Sequence, residues 1–405
     1  MKKLVIMMVA ACAAALPGVA DTEAVNGIET SVTDLRPLSE LWPSGEVGAV
    51  STLSSSIYDG YLYDDNGVVA GLITVKVGKP DARTQLSSVS ARVVGLNGKA
   101  KSLSAYKKGK VAISADGPIT VKFKGGEEFF VELGAAGMSG HYGDYHVAGS
   151  LNVFSTKDEA SKAVASAALD KWHGMVNVAW PDEQGGNNWL FVKIAAKGRV
   201  KVSGVLANGK TVNVKSQLIV GEKGCCVPVV SMKKGKVFAF NVWLQDEAGI
   251  LPSAKVSVIN EEAEARGVIP EVVGIADAAV GRPGNLKSGA KFHMGAVMGD
   301  EKYAQYLPEG VPVEGGEKWT LPKAGRVVQL TSNREVRESM LGENPAALKL
   351  TYNAKDGSFK GSFKMYTFGR GRLKPTTVKV KGLLVNGVGY GTATAKDASV
   401  PVTIE

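Results

Sequence analysis

Short alternations of apolar and polar residues dominate the chain. Ile73, Val75 and Val77 alternate with Thr74 and Lys76; Val200 and Val202 alternate with Arg199, Lys201 and Ser203; Leu348, Leu350 and Tyr352 alternate with Lys349 and Thr351. Successive strand side chains point to opposite faces, so this period of two predicts half-buried antiparallel strands with lysine or threonine outward. Between such runs sit Asn66-Gly67, Asn97-Gly98, Asn208-Gly209, Asp356-Gly357 and Asn386-Gly387. These pairs tolerate the positive φ of tight hairpin turns. The pattern predicts an all-β protein of repeated antiparallel hairpin units, forming barrel- or sandwich-like domains.

The pattern is broken in a few places. Thr156-Lys157-Asp158-Glu159 reads as a capping box before an alanine-rich run, which predicts one short linking helix over 156–170. Asn260-Glu261-Glu262 opens a second helical candidate, cut off by Gly267 and Pro270. A loop or helix insertion is expected over about 260–326. Residues 21–45 carry no period and read as an extended lead-in. The expected domains are 46–155 and 171–405, the second holding two β units.

Self-similarity sharpens this picture. Asn97-Gly98-Lys99 recurs as Asn208-Gly209-Lys210, offset by 111 residues, and Tyr58-Asp59-Gly60 is echoed by Trp172-His173-Gly174, offset by 114. Lys107-Lys108-Gly109-Lys110-Val111 returns as Lys233-Lys234-Gly235-Lys236-Val237, offset by 126. A duplicated β unit that buries one face against its neighbour is the physical reading. The larger last offset predicts an insertion of about 15 residues in the second copy, near Cys225-Cys226. A third, degenerate unit is expected from Gly357 to Gly387.

The amino terminus adds a compartment. Lys2 and Lys3 precede the apolar run Leu4 to Leu16, and Gly18-Val19-Ala20 supplies small residues, so residues 1–20 read as a signal peptide cleaved before Asp21. Val9-Ala10-Ala11-Cys12 also resembles a lipoprotein box, although the apolar run continues past it. No later stretch is long and apolar enough for a membrane helix. Outer-membrane barrel strands run longer and end in aromatic girdles, which this chain lacks. The expected location is outside the cytoplasm: extracellular, at the cell surface, or periplasmic.

Charge and cysteine content narrow the chemistry. The formal charge of +9 becomes +7 once Lys2 and Lys3, the only charges among residues 1–20, are removed. The lysines are spread along strands rather than concentrated, which argues against nucleic acid and suits an anionic cell surface or acidic polysaccharide. Cys225 and Cys226 are adjacent; in a strand one should be buried and one exposed, and bridging them would need a strained turn.

Several constellations combine residue types that could form a site. Trp180 and Trp189 flank a polar loop containing Asp182, Asn187 and Asn188, a recipe for stacking a sugar ring and bonding its hydroxyls. The competing reading makes both indoles core residues closing a hairpin. His141-Tyr142-Gly143-Asp144-Tyr145-His146 predicts a type II′ hairpin with His141 facing His146, a weak metal candidate for want of a third ligand. Ser104 and Lys107, Ser150 and Asn152, and Lys287-Ser288-Gly289 mimic a penicillin-binding serine pattern, but Ser104 falls between strands rather than at a helix start. Asp64-Asp65-Asn66-Gly67 is explained by a turn, and Glu127-Glu128 and Asp182-Glu183 have no opposed carboxylate partner. No catalytic residue, resident metal or cofactor is implied.

The segment Tyr58–Gly71 (YDGYLYDDNGVVAG), with Gly143–Gly149 and the carboxy-terminal stretch 348–392, resembles an uncharacterised group of exported bacterial β-barrel-like repeat domains found in large secreted or surface proteins. The resemblance implies a fold and a location and transfers no active residues. The expectation is an exported, non-catalytic structural or adhesive protein whose partner is a polysaccharide or another envelope protein. The alternative is a divergent extracellular polysaccharide hydrolase or another secreted hydrolase.

Overall fold

The computed structural model describes residues 56–405 except 64–68, 96–99, 106–109, 113–118, 124–128, 135–136, 157–158, 182–185, 208, 210, 222–223, 234–235, 246–252, 260–271, 331–334 and 397. The expected signal peptide with Cys12, the expected lead-in, the turns at Asn66-Gly67 and Asn97-Gly98, the second helical candidate and Asp182 lie outside the described residues.

The fold is all-β and antiparallel, with one α-helix among the described residues. The first sheet begins with β1 (Ser56–Tyr63), β2 (Val69–Val77), β3 (Leu86–Gly95) and β4 (Ala100–Ser104). It continues with β5 (Lys110–Ala112), β6 (Ile119–Lys122), β7 (Phe129–Leu133), β8 (Gly137–Tyr142) and β9 (Tyr145–Leu151). Their order is β4-β3-β2-β1-β9-β8-β7-β6, with β5 pairing β3. A bridge from Ala105, just past β4, to Phe123, just past β6, brings the two ends of this path together. The sheet therefore curls around its own inward side chains. Ile73, Val75 and Val77 enter that core with Val89, Ala91, Val131 and Leu133. Tyr58 is also inside and donates its hydroxyl to Gly134 O at 2.7 Å, satisfying a polar group that burial would otherwise penalise.

Helix α1 (Glu159–Trp172) follows, two residues longer at its end than the predicted span, and lays Ala168 and Trp172 against the next core. That core belongs to the second sheet, which begins with β10 (Gly174–Pro181), β11 (Asn187–Ile194), β12 (Arg199–Val205), β13 (Thr211–Gln217) and β14 (Ile219–Gly221). It is completed by β15 (Gly224–Lys233), β16 (Lys236–Gln245), β17 (Ser253–Ile259) and β18 (Val272–Gly281). The order is β13-β12-β11-β10-β18-β17-β16-β15-β14. In both sheets the first strand sits centrally, three strands meander away on one side, and the last strand returns to pair with it on the other. Ser216 on β13 donates to Pro228 O on β15, so this sheet also curls until its two arms meet.

The third sheet comprises β19 (Lys291–Met294), β20 (Val311–Pro312), β21 (Lys349–Asn353), β22 (Ser358–Gly369), β23 (Arg372–Val385), β24 (Val388–Ala395) and β25 (Ala398–Ile404). Its order is β20-β19-β25-β24-β23-β22-β21. Connecting segments cover its inner face with Leu307, Val313, Trp319 and Ala346, and Trp319 stacks on Tyr352 at 4.8 Å. The stretch expected as an insertion over 260–326 thus contributes strands: β18 completes the second sheet, and β19 and β20 join the third.

The short repeats do not superimpose on this topology. Gly209 does fall between β12 and β13, and sequence positions 97–98 fall between β3 and β4. But Gly60 sits mid-strand in β1 while Gly174 opens β10, and Lys110-Val111 begins β5 while Lys233 and Lys236 flank the β15–β16 hairpin. The predicted insertion near the cysteines is absent too: the connection from β4 to β6 is the longer one.

Candidate functional site

The hairpin expected to carry a sugar platform is built differently. Trp180 pairs with Asn188 and Ala179 with Trp189, so the two indoles fall on consecutive rungs and point to opposite faces of the sheet. Trp180 enters the core of the second sheet at 5% exposure, and Trp189 is 6% exposed against the third sheet. The amides divide the same way. Asn188 accepts from Ala207 N at 2.8 Å, while Asn187 donates to Val402 O at 3.1 Å and Gly391 O at 3.4 Å. These four residues pack and bond within the protein, because a period of two cannot place residues 180 and 189 on one surface at this register.

The second and third sheets meet through that outer face. Ala179, Trp189, Leu383 and Val385 form an apolar cluster with Phe191 and Tyr390 at its margin. Asn177, fully buried, crosses the same boundary, donating to Leu384 O at 2.9 Å and Asp356 O at 3.0 Å. Asn386 on the β23–β24 turn returns a bond to Val280 O at 2.8 Å.

The first and second sheets meet around Tyr61, Ala148, Ile219, Cys226 and Trp243. Cys225 and Cys226 do point to opposite faces, as a strand requires, but both are buried and both are free thiols. Cys225 enters the second core, whereas the outward face carrying Cys226 is covered by the first sheet, where its sulfur lies 3.4 Å from the Tyr61 hydroxyl. Desolvation pushes the Cys225 thiol up to about 12 and raises Cys226 and Tyr61 as well. The expectation of one exposed thiol fails because sequence periodicity does not reveal what covers the outer face.

The histidine hairpin forms as its sequence predicts. His141 pairs with His146 and Tyr142 with Tyr145, and Gly143 has φ +57° at the first turn position. His141 stacks on Phe130 at 5.4 Å and His146 lies 5.3 Å from Tyr63. Among the described residues, no three histidine, cysteine or carboxylate side chains gather at one point. Of the serine pattern, Ser104 ends β4, Ser150 is buried in β9, and Lys287 follows the second sheet; Lys107 lies outside the described residues.

A cavity of about 440 Å³ opens where the end of α1, β18 and the β23–β24 turn converge, lined by Lys171, Trp172, Arg282, Asn285, Lys287 and Asn386 among others. No local sequence signal announces it, since its walls come from three distant segments. Arg282 organises it by donating to Lys171 O, His173 O at 2.6 Å and Met175 O at 3.1 Å. A guanidinium is thereby set against the carbonyl end of α1, the favourable end for a cation. Burial draws its pKa below the ordinary value. Its lining has three cations and no carboxylate, and it offers no nucleophile paired with a base.

No protein-family model matches the chain, and no curated protein matches it. Among solved structures, the DNA polymerase III subunit beta from Pseudomonas aeruginosa is 11% identical, with 91% of this chain and 96% of that chain covered, at a TM-score of 0.10. A likeness that low carries no argument about fold or function. No helix among the described residues is long and apolar enough to cross a membrane.

Proposed function

We propose that this chain is an exported, non-catalytic structural or adhesive protein of the cell envelope or exterior, built from a duplicated curled β unit followed by a third sheet. The observation that carries this reading is the use of side chains at the two junctions. Tyr61, Cys226 and Trp243 at the first, and Asn177, Asn187 and Trp189 at the second, are used to lock one β unit to the next. Neighbouring domains move relative to one another by default unless their interface is substantial and apolar. Apolar contacts reinforced by side-chain-to-backbone bonds hold a fixed spacing, which suits a spacer or a presented surface. The shared strand order of the first two sheets supports duplication, although their short sequence repeats fall out of step.

The test is expression of residues 1–405 in a bacterial host, followed by cell fractionation, determination of the mature N-terminus, and assay against polysaccharide, ester and peptide substrates. The expected result is a chain beginning at Asp21, found with the envelope or medium, that turns over none of them. Recovery from the cytoplasm with Met1 in place would overturn export, and release of reducing ends from a polysaccharide would make the protein a hydrolase.

A further inference from the structure

The lysines that look scattered along the sequence are drawn into rows by strand register. On the outward face of the second sheet, Lys193 stands directly opposite Lys201, and Lys201 directly opposite Lys215. All three are exposed. Arg199 extends the basic strip one rung to one side, and Ser203 and Asn213 supply a hydroxyl and an amide on the other. None of the described residues between 174 and 245, which include all of β10 to β13, is Asp or Glu, so no carboxylate on the strands that carry the row, or on β10 beside them, neutralises it.

Like charges directly opposite in a sheet destabilise it. One ordinary reason to accept lysine is protection of an edge strand against pairing with another chain. That reason applies to Lys215 on β13, which ends the strand path, but not to Lys193 or Lys201, because β11 and β12 are paired on both sides. The third sheet repeats the arrangement: Lys360 stands opposite Lys381 on the interior strands β22 and β23, with Thr351 beside Lys360. Twice, then, cations are aligned on interior strands, where edge protection gives no reason for them.

We propose that the Lys193–Lys201–Lys215 row is a binding face for a linear acidic polysaccharide bearing a carboxylate on its successive sugars. This rests on the exported envelope reading and names the ligand class for it. The ammonium groups rise from strands about 4.8 Å apart, a spacing close to the advance of an extended sugar chain per residue. Hydroxyl and amide neighbours match a hydroxyl-rich ligand. The ring beside the row, Phe191 opposite Ser203, is packed edge-on against Trp189 at the junction with the third sheet. It is not a free platform for unpaired bases, and no element projects from the row into a duplex groove. The row also lacks the apolar rim that would enter a lipid surface.

The experiment uses residues 21–405 and measures binding of polygalacturonate, a DNA duplex, phosphatidylglycerol vesicles and dextran over a range of salt. It compares the parent with K193Q/K201Q/K215Q and with K79Q/K323Q/K396Q, which removes the same charge from exposed positions elsewhere. The expected result is salt-sensitive binding of polygalacturonate in preference to the other probes, weakened at least about tenfold in the row variant and less than about threefold in the control. The row variant should keep an equal or higher thermal midpoint, since it loses only repulsion. Equal losses in the two variants would reduce the effect to net charge and overturn the proposal. So would tighter binding of DNA or vesicles than of polygalacturonate, or no polygalacturonate binding at low salt. Cytoplasmic retention of the full chain would sink the exported reading alone, whereas unchanged binding by the row variant would sink the row alone.

Discussion

At the scale of single residues, the chemistry of this protein is set by what covers each side chain. The two cysteines and the two hairpin tryptophans each obey strand alternation, yet all four are buried, because the outward face of the second sheet is occupied by a neighbouring sheet at both junctions. The thiols should therefore be inert to an aqueous disulfide reagent until the protein unfolds; stoichiometric labelling of the native state would contradict this packing. Cys225 also gives a pH dependence. Its thiol rises from an ordinary 9.0 to about 12 through desolvation. Between those values the native state holds a proton that the unfolded chain has lost, so stability is intact below about 9 and falls as pH rises through the window. The loss attributable to this thiol at pH 10.5 should be about 2 kcal/mol. Urea midpoints at pH 8 and 10.5 for the parent and C225A would read it as a steeper alkaline decline in the parent.

At the scale of elements, the turns show how much local chemistry can specify. Asn386-Gly387 adopts positive φ at both positions, as its sequence predicts. Arg370-Gly371 does the same at φ +55° and +71°, a hairpin that the residue types do not announce, since arginine has no preference for that conformation. The register of β22 and β23 imposes it. Curling of the first sheet depends on close backbone approach between β1 and β9, where Gly60 pairs with Gly149. A Cβ at Gly60 would lie 2.1 Å from Ala148 O, and backbone cannot swing aside as a side-chain tip can. G60A should therefore cost about 3 kcal/mol or more. G143A, which meets nothing within 4 Å, should cost only the strain of its positive φ, about 1 kcal/mol. Chemical denaturation of both variants tests the contrast; similar costs would mean that the β1–β9 approach is looser than described.

At the scale of the whole molecule, the two junctions decide whether three β units behave as one body. Trp189 is the largest side chain in the apolar cluster at the second junction, and Asn177 holds two carbonyls of the third sheet. W189A should cost about 3–5 kcal/mol, the usual range for truncating a buried indole. N177A should cost about 2 kcal/mol through the carbonyls left unsatisfied. Because both act across the boundary, their losses should appear in calorimetry as a separation of the third sheet's transition from that of the second. A single transition shifted as a whole would show that the junction does not govern the coupling.

Local sequence was enough to determine the strand class, the linking helix, the histidine hairpin and the inward rows led by Ile73, Val200 and Leu348, because periods of two and 3.6 and turn stereochemistry act over a few residues. Other features needed partners far along the chain. Sheet order, the closure at Ala105 and Phe123, the cavity around Arg282, the burial of Trp189 and Cys226, and the alignment of Lys193, Lys201 and Lys215 came from tertiary structure alone. A residue's own neighbours determine which way it points within a strand, but only the assembled sheets determine whether that direction leads to water, to another sheet, or to a row of like charges.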